Sequence, residues 1–158
     1  ISFVSQAQNV PGFEAMLDST IDHTVPTVKP EQLIFEYSRN QNVVILDTRE
    51  QKEFDVSHIQ GARCVGYDNF KLKSVSDIAK NRKIFVYCSI GYRSEKVGEQ
   101  LLDAGYTQVY NLYGGIFNWI NNDYPVETSV GKPTRRIHGF DKDWAQWINQ
   151  KKGTVVLK

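Results

Sequence analysis

The chain has 158 residues, 41% of them apolar and 23% charged, with a formal charge of +1. This is the size and balance of one globular domain with short extensions, and it argues against a strongly basic nucleic-acid or membrane-surface binder. No apolar run approaches the about 18 residues of a membrane span, and two cysteines, Cys64 and Cys88, are too few for a disulfide framework.

Residues 1 to 25 are polar, with Phe13, Met16 and Leu17 at i, i+3, i+4 after Pro11-Gly12, which predicts a short helix. Pro30 then suits a first helical position, and Leu33, Ile34 and Tyr37 supply the apolar stripe. Asn40-Gln41-Asn42 ends that helix, and Val43-Val44-Ile45-Leu46 reads as a fully buried strand. A short helix follows over 51 to 55, a short strand over 62 to 65 and a helical turn over 75 to 79. Lys83-Ile84-Phe85-Val86-Tyr87 is the clearest strand. The clearest helix is 94 to 104, with Val97 and Leu101 on one face and Gly105 as its stop. A strand over 108 to 112 and a short helix opened by Gly114-Gly115 complete the alternation, which predicts an α/β domain with a mainly parallel sheet. Beyond Pro125, residues 126 to 135 read as a loop. Trp144, Trp147 and Ile148 form a second small stripe, read as core anchors for the tail in preference to a ligand platform. The organisation expected is an N-terminal extension (1–25), a central domain (26–125) and a C-terminal extension packed on it (126–158).

In a parallel α/β sheet, active groups lie beyond the carboxyl ends of the strands. Cys88-Ser89-Ile90-Gly91-Tyr92-Arg93 connects the strand over 83 to 87 to the following helix, which puts a thiol in a tight loop at a helix N-terminus. Backbone N–H groups, the helix dipole and Arg93 there all favour the thiolate, which is the reactive form. Gly91 permits a turn that a side chain would obstruct.

The segment resembles the active-site loop of the rhodanese family. Four further elements stand in register with it: Asp47-Thr48-Arg49 with Glu53-Phe54 close behind, His58-Ile59-Gln60-Gly61-Ala62, the continuation Gly91-Tyr92-Arg93-Ser94, and Gly114-Gly115-Ile116-Phe117-Asn118-Trp119. The resemblance covers roughly residues 26 to 125 and implies a rhodanese-like fold, a central sheet of about five strands with helices on both faces. It also implies sulfur transfer by double displacement. Cys88 attacks the sulfane sulfur of a donor such as thiosulfate, and an acceptor (cyanide, a thiol or a reduced protein dithiol) removes it from the resulting persulfide. The backbone amides of Ser89, Ile90, Gly91, Tyr92 and Arg93 are expected to hold the charge, and no cofactor or metal is called for. Asp47, Arg49 and His58 are expected to support the loop. Arg93 is read equally as substrate contact or structural ion pair, and Tyr92 is placed at the pocket mouth. Phosphate-transferring relatives of this fold use a loop with five residues between Cys and Arg. Here there are four, which favours sulfur over phosphate.

Cys64 is expected to be an inert, buried thiol, with a resolving cysteine for Cys88 as the lesser reading. The three histidines, His23, His58 and His138, are scattered and show no metal-ligand spacing. The alternative to an enzyme is a low-turnover persulfide carrier or protein-interaction module of the same fold. The partners expected are a small sulfur-donor anion and a thiophilic acceptor, without nucleic acid or a transmembrane segment. The chain opens on Ile1, so an upstream segment is expected to have been removed, and the compartment, cytoplasmic or exported, stays open.

Overall fold

Val44–Asp47 (β2) and Lys83–Tyr87 (β4) pair in parallel, Val44 beside Ile84 and Asp47 beside Tyr87, and form the centre of the molecule. The computed structural model describes residues 10–40 and 42–158. Thr27–Val28 (β1), Arg63–Cys64 (β3) and Gln108–Leu112 (β5) complete a five-stranded parallel sheet in the order β1-β5-β4-β2-β3.

Alternate residues of these strands serve two cores, as the pleat requires. Ile45, Phe85, Tyr87 and Leu112 face one side. There they meet Phe13 and Leu17 of α1 (Phe13–Thr20), Leu33 of α2 (Pro30–Arg39), and Ile116 and Trp119 of α5 (Gly115–Asn121). Leu46, Ile84, Val86 and Val109 face the other side, against Val97 and Leu101 of α4 (Tyr92–Asp103) and against Val75. The fold is therefore an α/β sandwich with helices on both faces. Each fully buried Leu, Ile or Phe contributes roughly 1.5–3 kcal/mol. Trp119 is seated by a hydrogen bond from its ring N–H to the Pro125 carbonyl, 2.9 Å.

The strand order positions the site. From β2 the chain steps outward to β3, and from β4 it steps the opposite way, through α4, to β5. The carboxyl ends of β2 and β4 thus flank a topological switch point, where the connections diverge and leave a crevice.

Local differences from expectation have local causes. The helix expected from 94 begins at Tyr92, because Gly91, with φ +116°, turns the chain into it immediately. The turn expected over 75 to 79 is a 3₁₀ turn at Leu72–Val75, drawn earlier by burial of Val75, whose carbonyl accepts from the Tyr106 hydroxyl at 2.8 Å. The two-residue β1 carries no periodic signal.

Residues 126 to 135, expected as a loop, hold a small antiparallel pair, Val126–Glu127 (β6) with Pro133–Thr134 (β7). Farther on, Arg136–His138 (β8) and Thr154–Val156 (β9) pair in parallel around α6 (Lys142–Ala145). Ile137 and Ile148 are buried in the same core as α5. The Asn121 side chain donates to the Trp147 carbonyl at 3.0 Å and accepts from the Asn149 N–H at 2.8 Å. Ser57 donates to the Arg136 carbonyl at 2.6 Å. Among the described residues no helix is long and apolar enough to cross a membrane.

Candidate active site

Cys88 follows β4 directly and is 1% exposed. Its Sγ accepts the Gly91 N–H at 3.1 Å, so the loop curls around the sulfur and presents it to the start of α4. Beneath it, the Ser94 hydroxyl lies 3.5 Å from Sγ and donates to Asn111 Oδ1 at 2.7 Å, while Asn111 Nδ2 donates to the Gly91 carbonyl at 2.9 Å. The far side of the loop is held from α5. The Ile116 and Phe117 N–H groups donate to the carbonyls of Cys88 and Ser89 at 2.9 and 3.1 Å. Gly115 makes this approach possible, because a Cβ there would stand 2.5 Å from both carbonyl oxygens.

Arg93 forms a bidentate ion pair with Glu53 of α3 (Gln51–Val56), 2.8 Å at each contact, and also donates to the Ser89 hydroxyl at 3.0 Å. Glu53 is itself buried and accepts the Glu50 N–H at 2.9 Å. Burial works to raise the Glu53 carboxyl, but its hydrogen bonds from Arg93 outweigh this and hold it below the usual carboxylate range. Burial likewise works against the Arg93 cation, and the bonds to Glu53 and the charge of Cys88 outweigh it. Of the two roles read for Arg93, the ion pair is present, and its guanidinium also borders the cavity over Cys88.

Arg49 and Asp47 form a fully buried pair at 2.6 Å, and Arg49 donates to the Ser57 carbonyl at 2.8 Å. They fix the chain where β2 ends, and the Thr48 N–H ties it to the Tyr87 carbonyl one residue before Cys88, 2.9 Å. His58 packs against α3 and β6. Its ring stacks on Phe54 at 3.8 Å, Nδ1 lies 3.1 Å from the Phe54 carbonyl, and Nε2 lies 3.7 Å from Glu127. Cys64 pairs with Asp47 across the β2–β3 ladder, and Asp47 with Tyr87 across the next. Two strand spacings, about 9–10 Å, separate Cys64 from the end of β4, beyond the reach of a disulfide. Cys64, expected to be buried, is only half-buried at the edge strand β3; its partial burial, then the Asp47 charge, pushes the thiol up to about 11.

A cavity of about 460 Å³ opens over Cys88. Tyr92, at its mouth, is 43% exposed. Tyr67, Phe140 and Trp144 add aromatic surface, and Glu50 and Asp68 add carboxylates. Trp144 thus does more than anchor the tail. It packs against the core and also lines the cavity.

Residues 31–122, more than half of the chain, match the family described as Rhodanese-like domain. The chain belongs to that family. The tRNA uridine(34) hydroxylase of Listeria welshimeri is 33% identical over 147 residues, covering 90% of this chain and 44% of that protein. The chain therefore spans less than half the length of this curated relative. The rhodanese-like domain of the Anabaena protein Alr3790 superposes with a TM-score of 0.59 at 25% identity, over 66% of this chain and 80% of that one. The thiosulfate sulfurtransferase of Pseudomonas aeruginosa superposes with a TM-score of 0.63 at 23% identity, over 84% of this chain and 25% of that one, a likeness of fold.

Several residues of this rhodanese-like site escape sequence reading. Glu53 appeared only as a member of a family pair, and nothing in the sequence couples it to Arg93, 40 positions away. Ser94 and Asn111 lie beneath the sulfur through tertiary contact alone. Glu50, Asp68 and Phe140 reach the cavity from three separate segments. An exposed aromatic in the tail, Phe140, was the one available signal.

Proposed function

We propose that this chain is a sulfurtransferase in which Cys88 carries sulfane sulfur as a persulfide. The observation that carries the reading is the Cys88 sulfur itself, bound by the Gly91 N–H at a helix N-terminus and bordering a cavity of substrate size. In the first half-reaction the Cys88 thiolate attacks the donor's sulfane sulfur. A new S–S bond forms, the donor's bond to that sulfur breaks, and the leaving group departs with its electron pair. In the second, an acceptor nucleophile attacks the outer sulfur and the electron pair returns to Cys88. Amide dipoles suit both halves, because the negative charge moves along the sulfur chain without leaving the loop. Thiosulfate with cyanide is the donor–acceptor pair that tests this most directly. Wild-type chain should form thiocyanate and gain about 32 Da on Cys88. Cys88→Ala should do neither while keeping its fold. Thiocyanate formation by that variant at the wild-type rate would sink the assignment. An adduct that forms and persists in excess thiol would favour the carrier module over the enzyme.

A second reading rests on the relatives, whose name specifies hydroxylation of tRNA uridine 34 and whose likeness extends over 147 residues, past the span of the family match. On this reading the chain performs its chemistry on tRNA, so RNA returns as a partner despite a charge of only +1. Hydroxylation is a two-electron oxidation that needs an external oxidant such as dioxygen, so nucleoside analysis of tRNA incubated with the chain in aerated buffer tests it. A hydroxylated uridine absent with Cys88→Ala would favour it, and unmodified tRNA beside active sulfur transfer would exclude it for this chain.

A further inference from the structure

The charge lining the cavity is opposite to what a cationic loop predicts. Among the described residues Arg93 is its one cation, and buried Glu53 neutralises it through two 2.8 Å contacts. Glu50 and Asp68 also line the cavity, and among the described residues neither takes part in an ion pair. Glu50 Oε1 is buried and accepts no hydrogen bond from the protein. With the Cys88 thiolate added, the ionised side chains lining the cavity are mostly negative.

The aromatic wall points the same way. Two of its rings already carry a protein cation: Arg93 lies 5.1 Å from the Phe140 centroid and Lys96 lies 5.6 Å from that of Tyr92. Trp144 and Tyr67 carry none among the described residues and share the cavity with Glu50 and Asp68. Phe140 is held at this wall in a backbone conformation that bulky residues avoid, φ +69°, with its N–H bound to His138 Nδ1 at 3.0 Å. Such strain persists where surrounding structure imposes it, commonly at ligand sites.

We infer that the cavity receives an organic sulfur partner bearing a protonated amine, which the Trp144 and Tyr67 rings and the Glu50 and Asp68 carboxylates recognise. The inference rests on the persulfide reading of Cys88 for its chemistry and on the cavity alone for its binding. An aminothiol, as thiolate, attacks the outer sulfur of the Cys88 persulfide. The new S–S bond makes an amine persulfide, the bond to Cys88 breaks, and Cys88 leaves as thiolate. The thiol proton goes to solvent.

Two matched pairs of probes separate binding from chemistry. In calorimetry, 2-(methylthio)ethylamine should bind the wild-type chain at least about tenfold more tightly than 3-(methylthio)propionate. Asp68→Asn, a surface change, and Glu50→Gln should each shrink that preference several-fold, and Trp144→Leu should shrink it further. In the sulfur-transfer assay, with Cys88 loaded from inorganic polysulfide, cysteamine should unload it about tenfold faster in kcat/KM than 3-mercaptopropionate. Equal binding of the methylthio probes, or preference for the carboxylate, overturns the inference, as does a preference unchanged in all three variants. If the amine is preferred but Cys88 takes up no sulfur, the cation site stands and the persulfide reading falls.

Discussion

Glu53→Gln tests what holds the Cys88 loop in shape. Gln has the size of Glu and keeps one carbonyl oxygen for Arg93. Its amide, however, presents N–H groups where a second oxygen accepted from the guanidinium at 2.8 Å, and the negative charge is gone. Arg93, with 13% of its side chain exposed, is then left without its counter-ion. Removing one partner of a buried pair costs about 3–5 kcal/mol, and the edge of Arg93 on the cavity, where water can enter, favours the lower end. For a domain of this size a loss of about 3 kcal/mol lowers Tm by about 6–12 °C. Urea denaturation at a series of pH values gives the sharper check. The Glu53 carboxyl is held below the usual carboxylate range, against its burial, by the bonds from Arg93. A depressed folded-state pKa contributes stability that is fully present above the unfolded carboxylate value, about 4.3, and that is lost as pH falls through the folded one. The gap between wild type and Glu53→Gln should therefore be constant from pH 7 to about 5 and close in more acidic solution. A gap below about 1 kcal/mol at pH 7, or one that persists unchanged into acid, would show that the pair does not hold the loop.

Gly115→Ala should lower stability by roughly 1–3 kcal/mol, because its Cβ would press on the Cys88 and Ser89 carbonyls at a φ of +58°. Thermal melting measures that loss, and the rate of sulfur uptake on Cys88 should fall with it. In Cys88→Ala the remaining thiol, Cys64, is pushed up to about 11. Only about one molecule in a thousand then carries its thiolate at pH 8, so iodoacetamide should label almost none at that pH, with incorporation rising about tenfold per pH unit. His58→Gln should leave kcat for sulfur transfer within about twofold of wild type, since the ring stacks on Phe54 and no hydrogen bond joins it to Cys88 among the described residues. A hundredfold loss would make it a catalytic base.

The sheet was legible wherever the sequence carried an unbroken apolar run. Val44–Asp47 and Lys83–Tyr87 are buried on both faces, so nearly every residue in them is apolar. Thr27–Val28 was invisible because two residues make no pattern, and its place at the sheet edge comes from pairing with Asn111 and Leu112. The surroundings of Cys88 were legible for the same local reason, as strand, glycine turn and helix follow one another within a dozen residues. The electrostatics were not. Arg93 reads in sequence equally as substrate contact or ion pair, and its neutralisation by Glu53 depends on α3 packing against the loop. The aromatic wall was illegible because Trp144 belongs to a stripe whose spacing only announces a buried face, while the fold turns one edge of that face to the cavity.

The neutralised arginine changes how the loop must favour a charged sulfur. A free guanidinium would attract any anion, a bulk dianion as readily as the thiolate chain it is meant to stabilise. Paired with Glu53, Arg93 acts mainly as a clamp. It holds α3 and the Ser89 hydroxyl in place, and the field at the sulfur falls chiefly to the oriented N–H of Gly91 and the start of α4. Dipoles of that kind act over a few ångströms, so they stabilise charge on Cys88 without recruiting anions to the mouth. The mouth is then free to select its ligands by other means, and it carries Glu50, Asp68 and four aromatic rings. If Cys88 carries sulfur as proposed, separating stabilisation at the sulfur from recruitment at the mouth leaves the choice of partner to the mouth, to which the tail contributes Phe140 and Trp144.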